Sequence, residues 1–240
     1  MIDWLRKKPE ALAVDLGNRT LPIIIRRHPT ARRMVLRLAS DGNEVRVTLP
    51  RWGQTAQAIA FVRLQSGWLA EQLARKPAPQ PPGHGAILRY RGQSLQVIWD
   101  SKAPRRPLAE EGFLHIGGPE QSVAPRLQRW LQAEALHLLA ADLSHFCGKS
   151  GLSAPALRLS RARQRWGSCS SDGTIRINWR LVQAPDPVRR SVVAHEVAHL
   201  VHFDHSPAFH ATLAHLFDGD LAEANLWLKR EGPGLYTAFG

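Results

Sequence analysis

The chain has 240 residues, 44% hydrophobic and 22% charged, with a formal net charge of +12. This is ordinary globular composition, long enough for one large domain or two small ones. No apolar run approaches the ~20 residues of a membrane-spanning helix, and two cysteines, Cys147 and Cys169, exclude a disulfide framework. The segment Met1 to Glu10 has charges with no apolar stretch behind them, unlike a secretory signal. A reduced, cytoplasmic protein is the expectation.

The charge is unevenly placed. Residues 1–110 carry 19 Lys+Arg against 8 Asp+Glu, whereas residues 111–240 carry 13 against 12. Arg26-Arg27, Arg32-Arg33 and Arg105-Arg106 contribute to the excess. A basic surface of this kind could meet nucleic acid, nucleotides or an acidic protein, or it could be a solvated arginine-rich face. Aromatic residues do not interleave with the charges as in a single-strand-binding platform.

In chain order, the N-terminal half reads as β first. Leu21 to Ile25 is an apolar run, and Met34 to Leu38 and Glu44 to Leu49 flank Asp41-Gly42-Asn43, a hairpin signal. Gln54 to Arg75 reads as one amphipathic helix with Ile59, Val62, Trp68, Leu69 and Leu73 near one face. A proline-rich break follows over 76–83. Ile87 to Tyr90 and Leu95 to Trp99 form a second hairpin pattern around Arg91-Gly92. Val123 to Phe146 is the longest helical stretch, with Leu127, Trp130, Leu131, Leu138 and Phe146 facing inward and Gly148 and Gly151 ending it. Leu157 to Leu159 is a short strand, Ser171 to Thr174 a turn, and Ile175, Ile177 and Trp179 alternate as a strand does. No internal repeat is visible.

The sharpest signal is His195-Glu196-Val197-Ala198-His199, with His205 six residues on. Histidines four apart share one helix face and can grip one metal ion, while the glutamate between them can take a proton from water held by that ion. At this composition the five-residue pattern arises by chance with a probability of roughly 0.02, and roughly 0.001 with His205 added. Asp186-Pro187 reads as a helix start with a capping side chain, and Val188 to Val201 as a largely buried helix ending near Phe203-Asp204 and closed by Pro207. Catalytic zinc usually has three protein ligands and one open position. His205 is the favoured third ligand, Glu223 the second choice, with His202, His210 and His215 further candidates. His202 and Asp204 are candidates to fix an imidazole tautomer.

Arg165-Trp166-Gly167-Ser168-Cys169-Ser170, Ile177-Asn178-Trp179-Arg180-Leu181, His195 to Leu200 and His205-Ser206 together resemble the YgjP-like metallopeptidase family, which is related to the SprT-like and WLM metalloproteases of the zincin group. The match is sharpest over residues 155–210, and weaker upstream around Trp68 and Tyr90-Arg91-Gly92. The resemblance implies that His195, His199 and His205 bind Zn2+ and that Glu196 is the general base. Two positions depart from the family pattern: Asp204 stands where Asn is usual, and His210 where Trp is usual.

The expected fold is α+β, with the H-E-x-x-H helix of a zincin-like domain packed on a small sheet. The expected division is a basic β-rich region over 1–110 with one helix, then the metal-binding catalytic domain over 111–240. The function that follows is a zinc-dependent peptidase acting on polypeptide, with other divalent first-row metals able to occupy the same donors. Arg165, His202, His210 and Tyr236 are candidate transition-state stabilisers. Two other readings use the basic half: hydrolysis of a nucleotide phosphoanhydride, which lacks a phosphate-cradling glycine motif here, and docking on nucleic acid, whose signature is steep salt dependence.

Overall fold

A computed structural model describes residues 12–17, 19–39, 42, 44–74 and 81–239. The N-terminal segment Met1 to Glu10, Asp41 and Asn43 of the expected turn, Arg75 at the expected helix end, and 76–80 of the proline-rich break lie outside the described residues. The chain forms two compact units, Met1–Ala78 and Pro79–Gly240. The division therefore falls at the proline-rich break, not after residue 110. The reason is a shared core: Leu88, Val97, Leu114 and Ile116 belong to the same buried cluster as Leu127, Leu139 and Val193.

The first unit holds strands β1 (Ala13–Asp15), β2 (Thr20–Arg27), β3 (Val35–Leu38) and β4 (Val45–Leu49), in the order β1-β2-β4-β3. β2 and β4 are parallel, and the outer pairs are antiparallel. Val45, Val47 and Leu49 alternate inward along β4 and pack with Ala58, Val62 and Leu69 of two helices. Those helices are α1 (Thr55–Leu64) and α2 (Ser66–Ala74), separated by Gln65, where one helix was expected. The weak helix formers Ser66 and Gly67 follow the break.

The second unit opens with β5 (Ile87–Tyr90), β6 (Gln93–Asp100), β7 (Leu108–Glu110) and β8 (Phe113–Gly117), in the order β5-β6-β8-β7. β6 and β8 are parallel and the outer pairs antiparallel, so this sheet repeats the topology of the first although the sequences show no repeat. A helix follows in both cases. Here it is α3 (Val123–Lys149), which buries Leu127, Leu131, Ala135, Leu139, Leu143 and Phe146 at three- and four-residue spacing. It runs through Gly148 and ends where Gly151 takes φ +68°.

A three-stranded sheet of β9 (Leu157–Ser160), β10 (Gly167–Cys169) and β11 (Ile175–Asn178), ordered β10-β11-β9, carries the chain into a 3-10 turn over Trp179–Gln183 and then α4 (Asp186–Val201). The tip of the β5–β6 hairpin holds this turn: Arg91 N–H donates to Val182 O at 2.8 Å and Gly92 N–H to Gln183 O at 3.1 Å. Arg91 and Gly92 both have positive φ, 49° and 81°, which the two-residue hairpin requires. A Cβ on Gly92 would also meet Pro185 at 3.0 Å. Asp186 is the first residue of α4 and does not cap it; its carboxylate pairs with Arg91 and Arg189. Arg189 in turn binds the buried Asp142 of α3, Nε to Oδ2, at 2.7 Å. α4 ends at Val201. Pro207 opens α5 (Pro207–Leu216), and α6 (Leu221–Glu231) follows. No described helix is long and apolar enough to cross a membrane.

Candidate metal centre

α4 presents His195 and His199 one turn apart, and its extended C-terminal residue His202 turns the chain back so that His205 meets them. The His195 and His199 Nε2 atoms are 3.2 Å apart, and those of His195 and His205 are 3.4 Å apart. Zinc–nitrogen bonds of about 2.0–2.1 Å in a tetrahedron place ligand nitrogens about 3.3–3.4 Å from each other. Two of the three separations thus match those between corners of one coordination sphere, and all three donor atoms lie within 4.8 Å of one another. Among the described residues this is the group of His, Cys, Asp and Glu that could hold an ion; Glu223, His210 and His215 stand outside it. Glu223 lies in the first turn of α6, where its N–H is capped by Asp220.

The ring orientations have identifiable causes. His199 Nδ1 lies 3.0 Å from the backbone oxygen of His202; a proton on Nδ1 leaves Nε2 as the free lone pair facing the other two rings. His202 thus contributes its carbonyl. Asp204 is turned to its own loop, where its Oδ1 accepts from Ser206 N–H at 3.3 Å, and those bonds hold its carboxyl below the usual range. Phe209 is fully buried beneath the three histidines, with ring centroids 4.5–5.0 Å from each. Ser206 fixes it there by capping α5 through Phe209 N–H. Burial, and next the neighbouring imidazoles His199, His205 and His210, push the His195 pKa down to about 4. His195 is therefore neutral at pH 7, the form that donates a lone pair to a metal.

Glu196 is 5% exposed. Burial pushes its pKa up to about 7, against the charge of Arg165 and a hydrogen bond from Cys169 N–H. The carboxylate lies against the edge strand β10: a Cβ built on Gly167 would collide with its Oε1 and stand 2.7 Å from its Cγ and Cδ. Gly167 is therefore glycine because Glu196 occupies the space a side chain would need. Gly167 and Phe209 both shape the site, and sequence reasoning gave neither a role. Gly167 had one visible signal, its place inside Arg165 to Ser170; the role of Phe209 depends on a tertiary contact.

The remaining candidates separate cleanly. Arg165 is exposed and its charge reaches Glu196. His210 is exposed, with its ring centroid 6.5 Å from that of His205. Tyr236 is committed elsewhere: its hydroxyl donates to Ala162 O at 3.0 Å and accepts from Asn178 Nδ2 at 3.0 Å. Its ring lies 5.8 Å from that of Trp166 and under the Arg180 guanidinium at 4.6 Å. Asn178, Arg180 and Gln183 also bind Ala162 O, Phe239 O and Leu235 O respectively. The Asn178 to Gln183 segment thus ties the C-terminal segment to the 161–166 loop.

A search of solved structures finds the metallopeptidase zymogen abylysin of Pyrococcus abyssi, 21% identical with a TM-score of 0.35, covering 39% of this chain and 95% of that one. A comparison with curated proteins gives no match. The family described as "YgjP-like, metallopeptidase domain" matches residues 32–231, which include most of the first unit, the whole histidine cluster and the strand beside Glu196. The chain belongs to the YgjP-like metallopeptidase domain family.

Proposed function

We propose that the protein is a zinc-dependent peptidase in which His195, His199 and His205 hold the ion and Glu196 is the general base. The observation that carries this reading is the pair of Nε2–Nε2 separations, 3.2 and 3.4 Å, on three imidazoles whose neighbour in sequence is a buried carboxylate. A Zn2+ ion on these donors would supply Lewis acidity and lower the pKa of a bound water to about 7. Glu196 then accepts the proton of the attacking water, which its raised pKa of about 7 makes favourable near neutral pH. Arg165, whose charge reaches Glu196, and His210, whose ring lies 6.5 Å from that of His205, are exposed and are the groups able to meet negative charge on the substrate carbonyl. The Tyr236 hydroxyl already donates its hydrogen bond to Ala162 O. β10 is an edge strand of its sheet, so an extended polypeptide could lie along it beside Glu196.

The test measures metal content and hydrolysis of an unfolded protein by wild type and Glu196→Gln. One zinc per chain in both, with activity lower by about 100-fold or more in the variant, is the expected result. Equal activity in the two proteins would overturn the role of Glu196. A metal-free protein that remains active would overturn the metallopeptidase reading altogether.

A further inference from the structure

We infer that the free edge of β3, in the first unit, is a docking site for an extended acidic polypeptide segment that carries apolar side chains at alternate positions. Three observations converge there. First, among the described residues β3 ends its sheet, paired with β4 on one side, the arrangement that offers outer backbone donors and acceptors to another strand. Second, a groove of about 320 Å³ opens beside it, lined by Arg33, Met34, Val35 and Leu36 from the strand side and by Phe61 of α1, Gln65 between the helices and Trp68 of α2. Trp68 is 42% exposed, although it lies beside this apolar groove. A strand added to β3 would turn every second side chain toward one face, where Trp68 and Phe61 offer aromatic surface. Third, the rim is basic. Arg32, Arg33 and Arg37 are exposed along and before β3, and residues 1–78 hold 14 Lys+Arg against 6 Asp+Glu.

The charge decides between occupants. A short strand edged with arginine resists pairing with a second copy of this chain, because two such edges repel. The same charge attracts an acidic segment. Charge would also attract nucleic acid, whose bases could stack on Trp68, but only a polypeptide can also pair its backbone with the strand edge. A segment that both pairs with β3 and places an apolar side chain under Trp68 uses all three features. This docking goes beyond the peptidase reading and does not rest on it, since the groove lies wholly in the first unit.

The experiment uses the full chain in EDTA, so that binding is read without hydrolysis. The probe is a fluorescein-labelled nine-residue peptide alternating Glu with Val and Phe. Its counterpart with Lys for Glu and a 20-nucleotide oligothymidine serve as competitors. The expected result is binding of the acidic peptide, weakened about tenfold or more by Trp68→Ala and by Arg37→Glu, with slowed amide exchange at residues 35–38 on binding. The lysine peptide and the oligothymidine should not displace it. Absent binding, binding untouched by both substitutions, equal binding of the lysine peptide, or displacement by oligothymidine would each overturn the inference. The last result would assign the basic rim to nucleic acid instead.

Discussion

At the scale of single residues, the site is shaped as much by what is missing as by what is present. Gly167 has no Cβ because Glu196 stands there, and the same strand gives Glu196 a hydrogen bond from Cys169 N–H. A methyl group at position 167 would therefore push the proposed base while leaving all three imidazoles untouched. Gly167→Ala should cost about 1–3 kcal/mol of stability, as overpacking does, and should lower kcat by at least about tenfold while zinc stoichiometry stays at wild type. Thermal unfolding, metal analysis and peptidase kinetics on one preparation read the three quantities. Wild-type turnover in a stable, metal-loaded variant would show that the carboxylate tolerates displacement. This glycine illustrates why part of the site was hidden in the sequence. The H-E-x-x-H spacing is a local geometric fact of one helix and is legible without any tertiary information. The need for glycine arises between β10 and α4, nearly thirty residues apart in the chain, and no local rule announces it.

At the scale of elements, α4 is anchored by charge at its start and carries two of the candidate ligands, His195 and His199, toward its end. Arg189 and Asp142 are both almost completely buried and hydrogen-bonded at 2.7 Å, joining α4 to α3. Removing one partner of such a pair strands the other in a medium that solvates it poorly. Asp142→Asn should therefore destabilise the second unit by about 3 kcal/mol, read as a lower urea midpoint with an unchanged slope. Asp186 adds a pH dependence. Burial works against its charge, but Arg91 and Arg189 prevail and hold its pKa below the ordinary value. A depressed acid contributes stability that is full above the unfolded pKa of about 3.9 and disappears as pH falls through the folded value. The stability lost in Asp186→Asn should accordingly be constant from pH 5 to 7, begin to shrink as pH falls past about 4, and vanish only below the lowered folded pKa; a difference that persists in stronger acid would exclude the ion pairs as its source. Elements were legible where one periodicity dominated. The long helix starting at Val123, the β5–β6 hairpin and α4 all carry strong patterns. Strands β1, β7 and β10 did not, because three residues give too few alternations, and β8 was likewise not expected. The Gln65 break was missed because an amphipathic stripe continues across it. The resemblance of the two four-stranded sheets is a matter of strand order and direction, which composition does not encode.

At the scale of the whole molecule, two units of unequal strength share one chain. Among the described residues the first gathers a core of nine buried hydrophobic residues, Val14 through Leu69, and the second one of thirty-one, Leu88 through Leu235. Burial scales with apolar area, and small units bury a smaller fraction of what they would expose on unfolding, so the first unit should be the weaker. The candidate metal centre lies wholly within the second. A ligand that binds only the folded form stabilises the unit that binds it by RT ln(1 + [L]/Kd), about 2.7 kcal/mol at a hundredfold excess over Kd. Hydrogen exchange followed through increasing urea should therefore show β2 and β4 losing protection before α3 and α4. Zinc should raise the midpoint for α3 and α4 and leave that of β2 and β4 where it was. Coincident transitions that zinc moves together would mean that the units fold as one cooperative body. Transitions that zinc does not move at all would count against His195, His199 and His205 as its ligands, independently of any assay of activity.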